Sequence, residues 1–202
     1  VIAHGSIAIS KADSEITDLD LKNILTVAEG EIPKSQSVNR KIIQSISISY
    51  KIDGKKILGR PIGMKGSKFE VKALFITCVE HHFSDLVDAV EKVGVEVLDV
   101  MASPIAASIV NLTKTQKIAG CVLANIGSET VSIVVFENNI PISLEIFPIG
   151  GIDITNDIAL GLKIPLEEAE NIKIKFASEP LHSKKKLDEI ISARLSGGIR
   201  AF

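Results

Sequence analysis

Apolar and polar positions alternate along much of the first hundred residues. A period of two is typical of half-buried strands, and the pair Asp53-Gly54 between two of the runs is a strong signal for a tight hairpin turn. Glycine and proline clusters separate the other runs and mark loops. The pattern predicts strands over residues 2–10, 41–52, 56–58, 69–75 and 95–100.

Two segments of the same region carry helical periodicity instead. Thr17 occupies an N-cap position with Asp20 three residues later, and an apolar face follows and ends at Gly30. A second helix is predicted from its cap at Ser84 to Gly94. Residues 1–100 are therefore predicted to form a small α+β unit of antiparallel strands and two helices.

The second half of the chain begins with a helix and returns to strands. Ser103-Pro104 supplies a cap and a first-turn proline, and the apolar residues that follow predict a buried helix. A helix with Asp153 or Thr155 as its cap follows the last strand, and another begins at Pro165. The strands are predicted over residues 121–124, 131–136 and 140–147.

Composition and charge narrow the class of protein. Hydrophobic residues make up 46% of the 202 residues, which is enough for a packed core. The net charge of −2 gives no electrostatic reason to expect nucleic acid as a partner. Cys78 and Cys121 cannot build a disulfide framework, which favours a reducing, cytosolic setting. No apolar run approaches the ~20 residues that a membrane span needs, and no signal peptide is visible.

Two conspicuous residue groups are better explained as solvated surface than as sites. His81-His82 lacks further metal ligands at suitable spacing, so no metal site is predicted there. The basic run Lys184–Lys186 lies next to acidic residues and is typical of an exposed face.

The segment from Cys121 to Lys175, called the phosphate clamp below, is the best candidate for chemistry. A polar turn of small residues at 125–130 joins two strands, and such turns can direct backbone N–H groups and hydroxyls at an anion. Gly150-Gly151 precedes a helix, and helix N-termini also attract anions. Taken alone, each glycine turn is more typical of an ordinary hairpin turn than of a phosphate site.

Glu170 and Lys173 lie three residues apart on the last predicted helix and so share one of its faces. A surface ion pair of small energetic value would explain them. The functional alternative is a pair of polar groups presented to a ribose or an adenine.

The order of these features carries more information than any one of them. The run NIGSETVSIVVF, followed by PIGGIDITNDIALGL and PLEEAENIKIK, resembles the second-lobe nucleotide segment of actin-like ATPases. Upstream, YKIDG, RPIGMKGSKFEVK and VEKVGVEVLDV are similar, in that order, to the inserted subdomain of the FtsA family of bacterial cell-division proteins. The resemblance extends over residues 1–195.

The resemblance implies a fold that is part α+β and part α/β. Residues 1–100 would be the inserted subdomain (1C), with a three-stranded sheet and two helices, and residues 101–118 a connector helix of the first lobe. Residues 119–180 would be the core of an actin-like, ribonuclease H-like second lobe (2A), and residues 181–202 the start of the next subdomain (2B).

Further segments are expected on the same ground. A first phosphate loop would precede Val1, and an adenine-contacting glycine motif and an amphipathic membrane helix would follow Phe202. The chain is therefore expected to be an interior piece of a longer protein.

The resemblance also implies a function. Such a protein binds ATP with Mg²⁺ between two lobes, self-associates into filaments, and tethers FtsZ filaments to the cytoplasmic face of the plasma membrane at the division site. It also recruits later division proteins. FtsZ binding is expected largely from a region that begins near Leu181. By matching position, the nucleotide-binding residues would be Gly127, Ser128, Glu129 and Thr130 at the phosphates, Gly150 and Gly151 beside them, and Glu170 and Lys173 at the ribose and base.

The chain departs from the family pattern at three positions. Asn125 stands where the family has an Asp that helps hold the metal through water, and Ser128 and Glu129 replace glycines. Asn lacks the carboxylate charge, which weakens the expectation of Mg²⁺ binding and of hydrolysis. No catalytic residue and no metal ligand are therefore predicted, and the chain alone is expected to hydrolyse ATP negligibly.

Three alternatives stay open at this stage. One is an active enzyme of the same superfamily, such as a sugar kinase or a chaperone ATPase, which would need an acid at position 125. A second is an actin relative associated with pili or cell shape. The third, which Asn125 and Glu129 favour, is a degenerate scaffold without nucleotide.

Overall fold

The computed structural model describes residues 1–10 and 15–177. These residues divide into two compact units, one within residues 1–124 and 133–145 and the other within residues 125–132 and 146–177. Leu181, Lys184–Lys186 and the expected start of the next subdomain at residue 181 lie outside the described residues.

The described residues form strands and helices in mixed order. The strands are β1 Ile2–Ala8, β2 Arg40–Ile52, β3 Lys55–Ile57, β4 Lys68–Val79, β5 Cys121–Ile126, β6 Val131–Glu137 and β7 Ile140–Phe147. The helices are α1 Asp18–Gly30, α2 Lys34–Ser37, α3 Glu80–Glu91, α4 Ser103–Asn111, α5 Lys114–Ala119, α6 Gly151–Leu162 and α7 Leu166–Ala177. The predicted α+β character is confirmed.

The sheet of the first unit has the strand order β1-β4-β2-β3 with antiparallel pairing. It contains four strands where the resemblance implies three, because the short β3 returns along β2. The hairpin predicted at Asp53-Gly54 is confirmed: φ is 48° at Asp53 and 78° at Gly54, as a type I′ turn requires.

Close packing of α1 on the sheet builds the core of this unit. Ile24 and Ala28 of α1 are fully buried with Phe69 and Phe75 of β4, as the predicted apolar faces require. A Cβ built on Gly5 of β1 would lie 2.5 Å from the Ile24 carbonyl oxygen, so only glycine permits the approach of α1.

The capping box predicted at Thr17 is confirmed. The Asp20 carboxylate accepts a hydrogen bond from the Thr17 backbone N–H at 2.8 Å, which satisfies one donor at the start of α1.

Several predicted boundaries in the first unit are wrong. Residues 95–100 form no strand. A strand needs a neighbouring strand to pair with its backbone N–H and C=O groups, and no strand in the described part of the chain pairs with these residues. Helix α3 begins at Glu80, four residues before the predicted cap at Ser84, since β4 continues to Val79 and runs directly into it.

Helix α4 also differs from its prediction. Its N-cap is Ala102, so Ser103 is the first helical residue and Pro104 the second. Ile109 and Val110 are 59% and 85% exposed, so the helix is buried on one side only, at Pro104 and Ser108.

The second sheet has the order β5-β6-β7. Asn138 and Asn139, with φ of 50° and 67°, form the turn between β6 and β7, in the gap between the strands predicted over residues 131–136 and 140–147. Val134 and Phe136 of β6 are buried, as is Ser132.

Candidate functional site

The turn of the phosphate clamp is shorter than predicted. Strand β5 continues to Ile126, so Asn125 belongs to the strand, and the loop comprises residues 127–130. The Gly127 N–H donates to the Thr130 carbonyl at 2.8 Å and closes the loop. No described residue accepts a hydrogen bond from the N–H groups of Ser128, Glu129 or Thr130, and all three residues are exposed. The loop therefore presents backbone donors to solvent.

Main-chain hydrogen bonds join this loop to the start of α6. The N–H groups of Gly151 and Ile152 donate to the carbonyls of Gly127 and Ser128 at 2.9 Å and 2.8 Å. A Cβ built on Gly150 would lie 2.2 Å from the Ser128 oxygen. We call this junction the loop–helix seam. Gly150 is required there because the two backbones touch, and its φ of −165° is one that any residue adopts.

The N-terminus of α6 has its first backbone donors occupied. The seam engages Gly151 and Ile152, and the Asp153 N–H donates to the Gly150 carbonyl at 3.2 Å. The prediction of Asp153 or Thr155 as the N-cap is wrong: Gly150 is the cap, and its N–H donates to the Asp153 carboxylate at 2.7 Å. The first turn of this helix thus holds the loop in place, because the loop carbonyls satisfy the N–H groups of Gly151 and Ile152 that have no partner within the helix.

A polar network around the buried Thr155 connects α6 to α7. Lys173 Nζ donates to the Gly151 carbonyl at 3.0 Å and to Thr155 Oγ1 at 2.8 Å, and it forms an ion pair with Glu170 Oε2 at 2.6 Å. Thr155 Oγ1 also lies 2.5 Å from Glu170 Oε2, and Thr155 is only 1% exposed. Since Gly151 belongs to the seam, Lys173 links α7 to the loop through the start of α6.

The network shifts the titration of its carboxylate. Hydrogen bonds first from Lys173 and then from Thr155 favour the charged form and hold the pKa of Glu170 below its ordinary value of 4.5. The side chain of Glu170 is 41% exposed, against 23% for Lys173. Glu170 therefore remains ionised and faces solvent at neutral pH.

The arrangement brings the predicted residues together. Gly127, Gly150 and Gly151 meet at the seam, and Lys173 contacts both Gly151 and Glu170. The alternative of an isolated surface ion pair does not fit Glu170 and Lys173, because the pair extends to buried Thr155.

Thr155 is the residue that sequence reasoning considered only as a helix cap. A usable signal was present, since Thr155 lies one helical turn after Gly151 and a Thr hydroxyl inside a helix needs a partner. Glu170 and Lys173 supply it.

The donor set fits a phosphate better than it fits a metal. The backbone N–H groups of the loop have no partner among the described residues, and the close contact at Gly150 leaves no room for a Cβ. Both features suit an anionic oxygen. Asn125 offers only a neutral amide, and no cluster of three or more His, Cys, Asp or Glu side chains able to hold a metal occurs in residues 1–10 and 15–177.

Comparison with known families identifies the chain. Residues 1–77 match the family model described as "SHS2 domain inserted in FTSA", and residues 122–199 match that described as "Cell division protein FtsA". The chain belongs to the FtsA family. This membership makes it a cell-division, actin-like protein and confirms the resemblance drawn from the sequence.

Curated FtsA proteins match over most of the chain. The cell division protein FtsA of Pseudomonas aeruginosa is 31% identical over 176 residues, which are 87% of this chain and 41% of that protein. FtsA of Bacillus subtilis is 31% identical over 195 residues, 96% of this chain and 43% of that protein. The chain thus spans less than half the length of the FtsA relatives it matches.

A solved structure supports the fold. The PilM-PilN type IV pilus biogenesis complex matches with a TM-score of 0.56 at 14% identity and covers 97% of this chain and 52% of that one. At this identity the match bears on the fold alone. Within the described ranges, no helix combines the length and the apolarity needed to cross a bilayer.

Proposed function

We propose that the chain is the nucleotide-responsive part of a bacterial cell-division adaptor that binds ATP. The adaptor tethers FtsZ filaments to the cytoplasmic face of the plasma membrane at the division site. It also recruits later division proteins and self-associates into filaments. Family membership supports the division role, and the loop–helix seam with its exposed backbone donors supports nucleotide binding.

The 127–130 loop is the phosphate-binding element of this proposal. Backbone N–H groups of Ser128, Glu129 and Thr130 are available to anionic oxygens, and the seam fixes the backbone that carries them. Glycine at position 150 keeps the loop and helix in contact. Backbone donors held in this way bind phosphate without any need for a particular side chain.

Glu170 is the residue proposed for the sugar. Its Oε2 atom is engaged by Thr155 and Lys173, whereas no described residue donates to Oε1. A carboxylate oxygen is an acceptor, so it suits the hydroxyl groups of a ribose. Lys173 and Gly151 belong to the ribose and base part of the proposed site. Lys173 forms an ion pair with the Glu170 carboxylate and donates a hydrogen bond to the Gly151 carbonyl at the start of α6.

Metal dependence is expected to be weak. When bound, Mg²⁺ would neutralise phosphate charge, and position 125 is where the family pattern places a carboxylate for its water shell. Asn125 supplies no charge there, and Glu129 adds a negative charge to the loop. We therefore propose nucleotide binding as the function of the site and negligible hydrolysis by the chain alone. Turnover clearly above that of a heat-treated control would contradict this part.

Titration calorimetry of the protein as its gene encodes it, with ATP and Mg²⁺, tests the proposal. Saturable binding at micromolar to sub-millimolar concentration is expected, and Glu170→Ala should weaken it about tenfold, the value of one charge-assisted hydrogen bond. Glu167→Ala, at an exposed position of the same helix, is the matched control. Absence of saturable binding would instead favour the nucleotide-free scaffold.

The adaptor role has a separate test. FtsZ filaments are mixed with vesicles of anionic phospholipid and sedimented with and without the protein. Co-sedimentation that requires the protein is expected. FtsZ that stays in the supernatant in its presence contradicts the tethering function but leaves nucleotide binding intact.

A further inference from the structure

The hydroxyl of Thr155 occupies the centre of the network between α6 and α7. It lies 2.5 Å from Glu170 Oε2, 2.8 Å from Lys173 Nζ and 3.2 Å from the Gly151 carbonyl oxygen. We infer that Thr155 is a positioning residue of the proposed nucleotide site: its hydroxyl holds the Glu170 carboxylate so that Oε1 accepts a ribose hydroxyl. The inference rests on the proposed function and concerns how the site discriminates among nucleotides.

Counting hydrogens assigns the direction of each bond. An ammonium group has three donors, and Lys173 directs them at Gly151, Thr155 and Glu170. Thr155 therefore accepts from Lys173 and gives its single hydrogen to Glu170 Oε2, the nearer and charged acceptor. Lys173 has no donor left for a ligand, so its part is to hold the carboxylate.

The two donors to Oε2 leave one carboxylate oxygen open. Lys173 approaches from the same helix as Glu170, whereas Thr155 approaches from α6. Two donors from different helices restrict the rotation of a carboxylate more than one donor can. Without the Thr155 hydroxyl, the ion pair persists but the carboxylate is free to turn about it, and Lys173 loses a buried acceptor.

This geometry gives Thr155 a signature that a merely structural residue lacks. Loss of packing at a buried position would weaken all nucleotides equally. Loss of carboxylate orientation would weaken only those that carry the ribose hydroxyl. The readout is therefore the ratio of the Kd of a deoxynucleotide to the Kd of ATP.

The experiment uses Thr155→Val, which keeps the shape and removes the hydroxyl, and Thr155→Ser, which keeps the hydroxyl. Binding of ATP, 2′-deoxy-ATP and 3′-deoxy-ATP is measured by calorimetry on the protein as its gene encodes it. For the unmodified protein we expect at least one deoxynucleotide to bind about tenfold more weakly than ATP. The ratio should fall below about threefold in Thr155→Val and return in Thr155→Ser.

The outcomes separate the two proposals. If ATP binds and Thr155→Val keeps the tenfold ratio, the positioning role is overturned and nucleotide binding stands. If ATP does not bind the unmodified protein, the proposed function itself falls, and the positioning role with it. Should Thr155→Val fail to fold, Thr155→Ser still decides the point, since a ratio lost in the serine variant contradicts a role of the hydroxyl.

Discussion

Gly150 and Ser128 are in backbone contact, and a Cβ at position 150 would lie 2.2 Å from the Ser128 carbonyl oxygen and 2.7 Å from the Glu129 nitrogen. Gly150→Ala must therefore separate the loop from α6. We expect it to lower the free energy of unfolding by about 2–3 kcal/mol, the usual cost of overpacking. Urea denaturation followed by circular dichroism measures the change.

The neighbouring glycine is the control for this prediction. A Cβ at Gly151 would lie 3.6 Å from Lys173 Nζ, which is ordinary contact. Gly151→Ala should therefore change the free energy of unfolding by less than about 0.5 kcal/mol. Equal destabilisation by both variants would show that the seam is not what requires glycine at position 150.

Lys173 is predicted to stabilise the packing of α6 on α7. Lys173→Met keeps the aliphatic stem but removes the ammonium, and so leaves Thr155 and Glu170 without their shared partner. A loss of about 2 kcal/mol in the free energy of unfolding is expected. Lys175→Met, at an exposed position of the same helix, should lie within about 0.5 kcal/mol of the unmodified chain. If the Lys173 variant is no less stable than this control, the network makes no contribution to the free energy of unfolding.

The lowered pKa of Glu170 predicts how stability depends on pH. The unfolded chain titrates near the ordinary value of 4.5, and the folded chain titrates below it because of Lys173 and Thr155. The contribution of Glu170 is therefore fully present above that value and is lost as the pH falls through the lowered pKa.

Thermal unfolding of the unmodified chain and of Glu170→Gln, measured between pH 7 and pH 3, tests this prediction. We expect the difference in Tm to be constant at neutral pH and to shrink as the pH falls below about 4.5. Glu167→Gln removes one charge from an exposed site of the same helix and serves as the comparison. If the difference in Tm between the unmodified chain and Glu170→Gln stays constant from pH 7 to pH 3, the contacts assigned to Glu170 are contradicted.

Asn125→Asp is predicted to restore metal dependence to nucleotide binding. The new carboxylate would lie near the end of β5, two residues before the loop, where it can hold the water shell of Mg²⁺. We expect Mg²⁺ to tighten ATP binding about tenfold more in this variant than in the unmodified protein. Asn138→Asp adds the same charge in the β6–β7 turn, where positive φ tolerates Asp, and should show no such gain. If the two variants respond alike, position 125 is not beside the metal.

Local signals in the sequence predicted local structure well. The Asp53-Gly54 turn and the position of α1 after Thr17 depend on a few adjacent residues, and both are confirmed. The strand predicted from alternation at residues 95–100 was wrong, because a strand also needs a pairing partner, which local sequence does not specify.

The site shows the same division between local and distant information. The family resemblance pointed to Gly150, Glu170 and Lys173 as site residues, and that assignment stays a prediction; the structure shows that Gly150 contacts the loop and that Lys173 pairs with Glu170. The sequence could not reveal that the N–H groups of Gly151 and Ile152 donate hydrogen bonds to the loop, because these bonds depend on how closely the two backbone segments approach. Thr155 escaped for the same reason: its partners come from another helix.

The loop–helix seam has a consequence for how this region can evolve. The hydrogen bonds that shape the 127–130 loop run between main-chain atoms, and neither Ser128 nor Glu129 has positive φ. Mutational drift at these two positions can therefore replace residues while the backbone trace survives. The feature of this turn that least tolerates substitution is therefore the backbone contact at Gly150, rather than the side chains of Ser128 and Glu129.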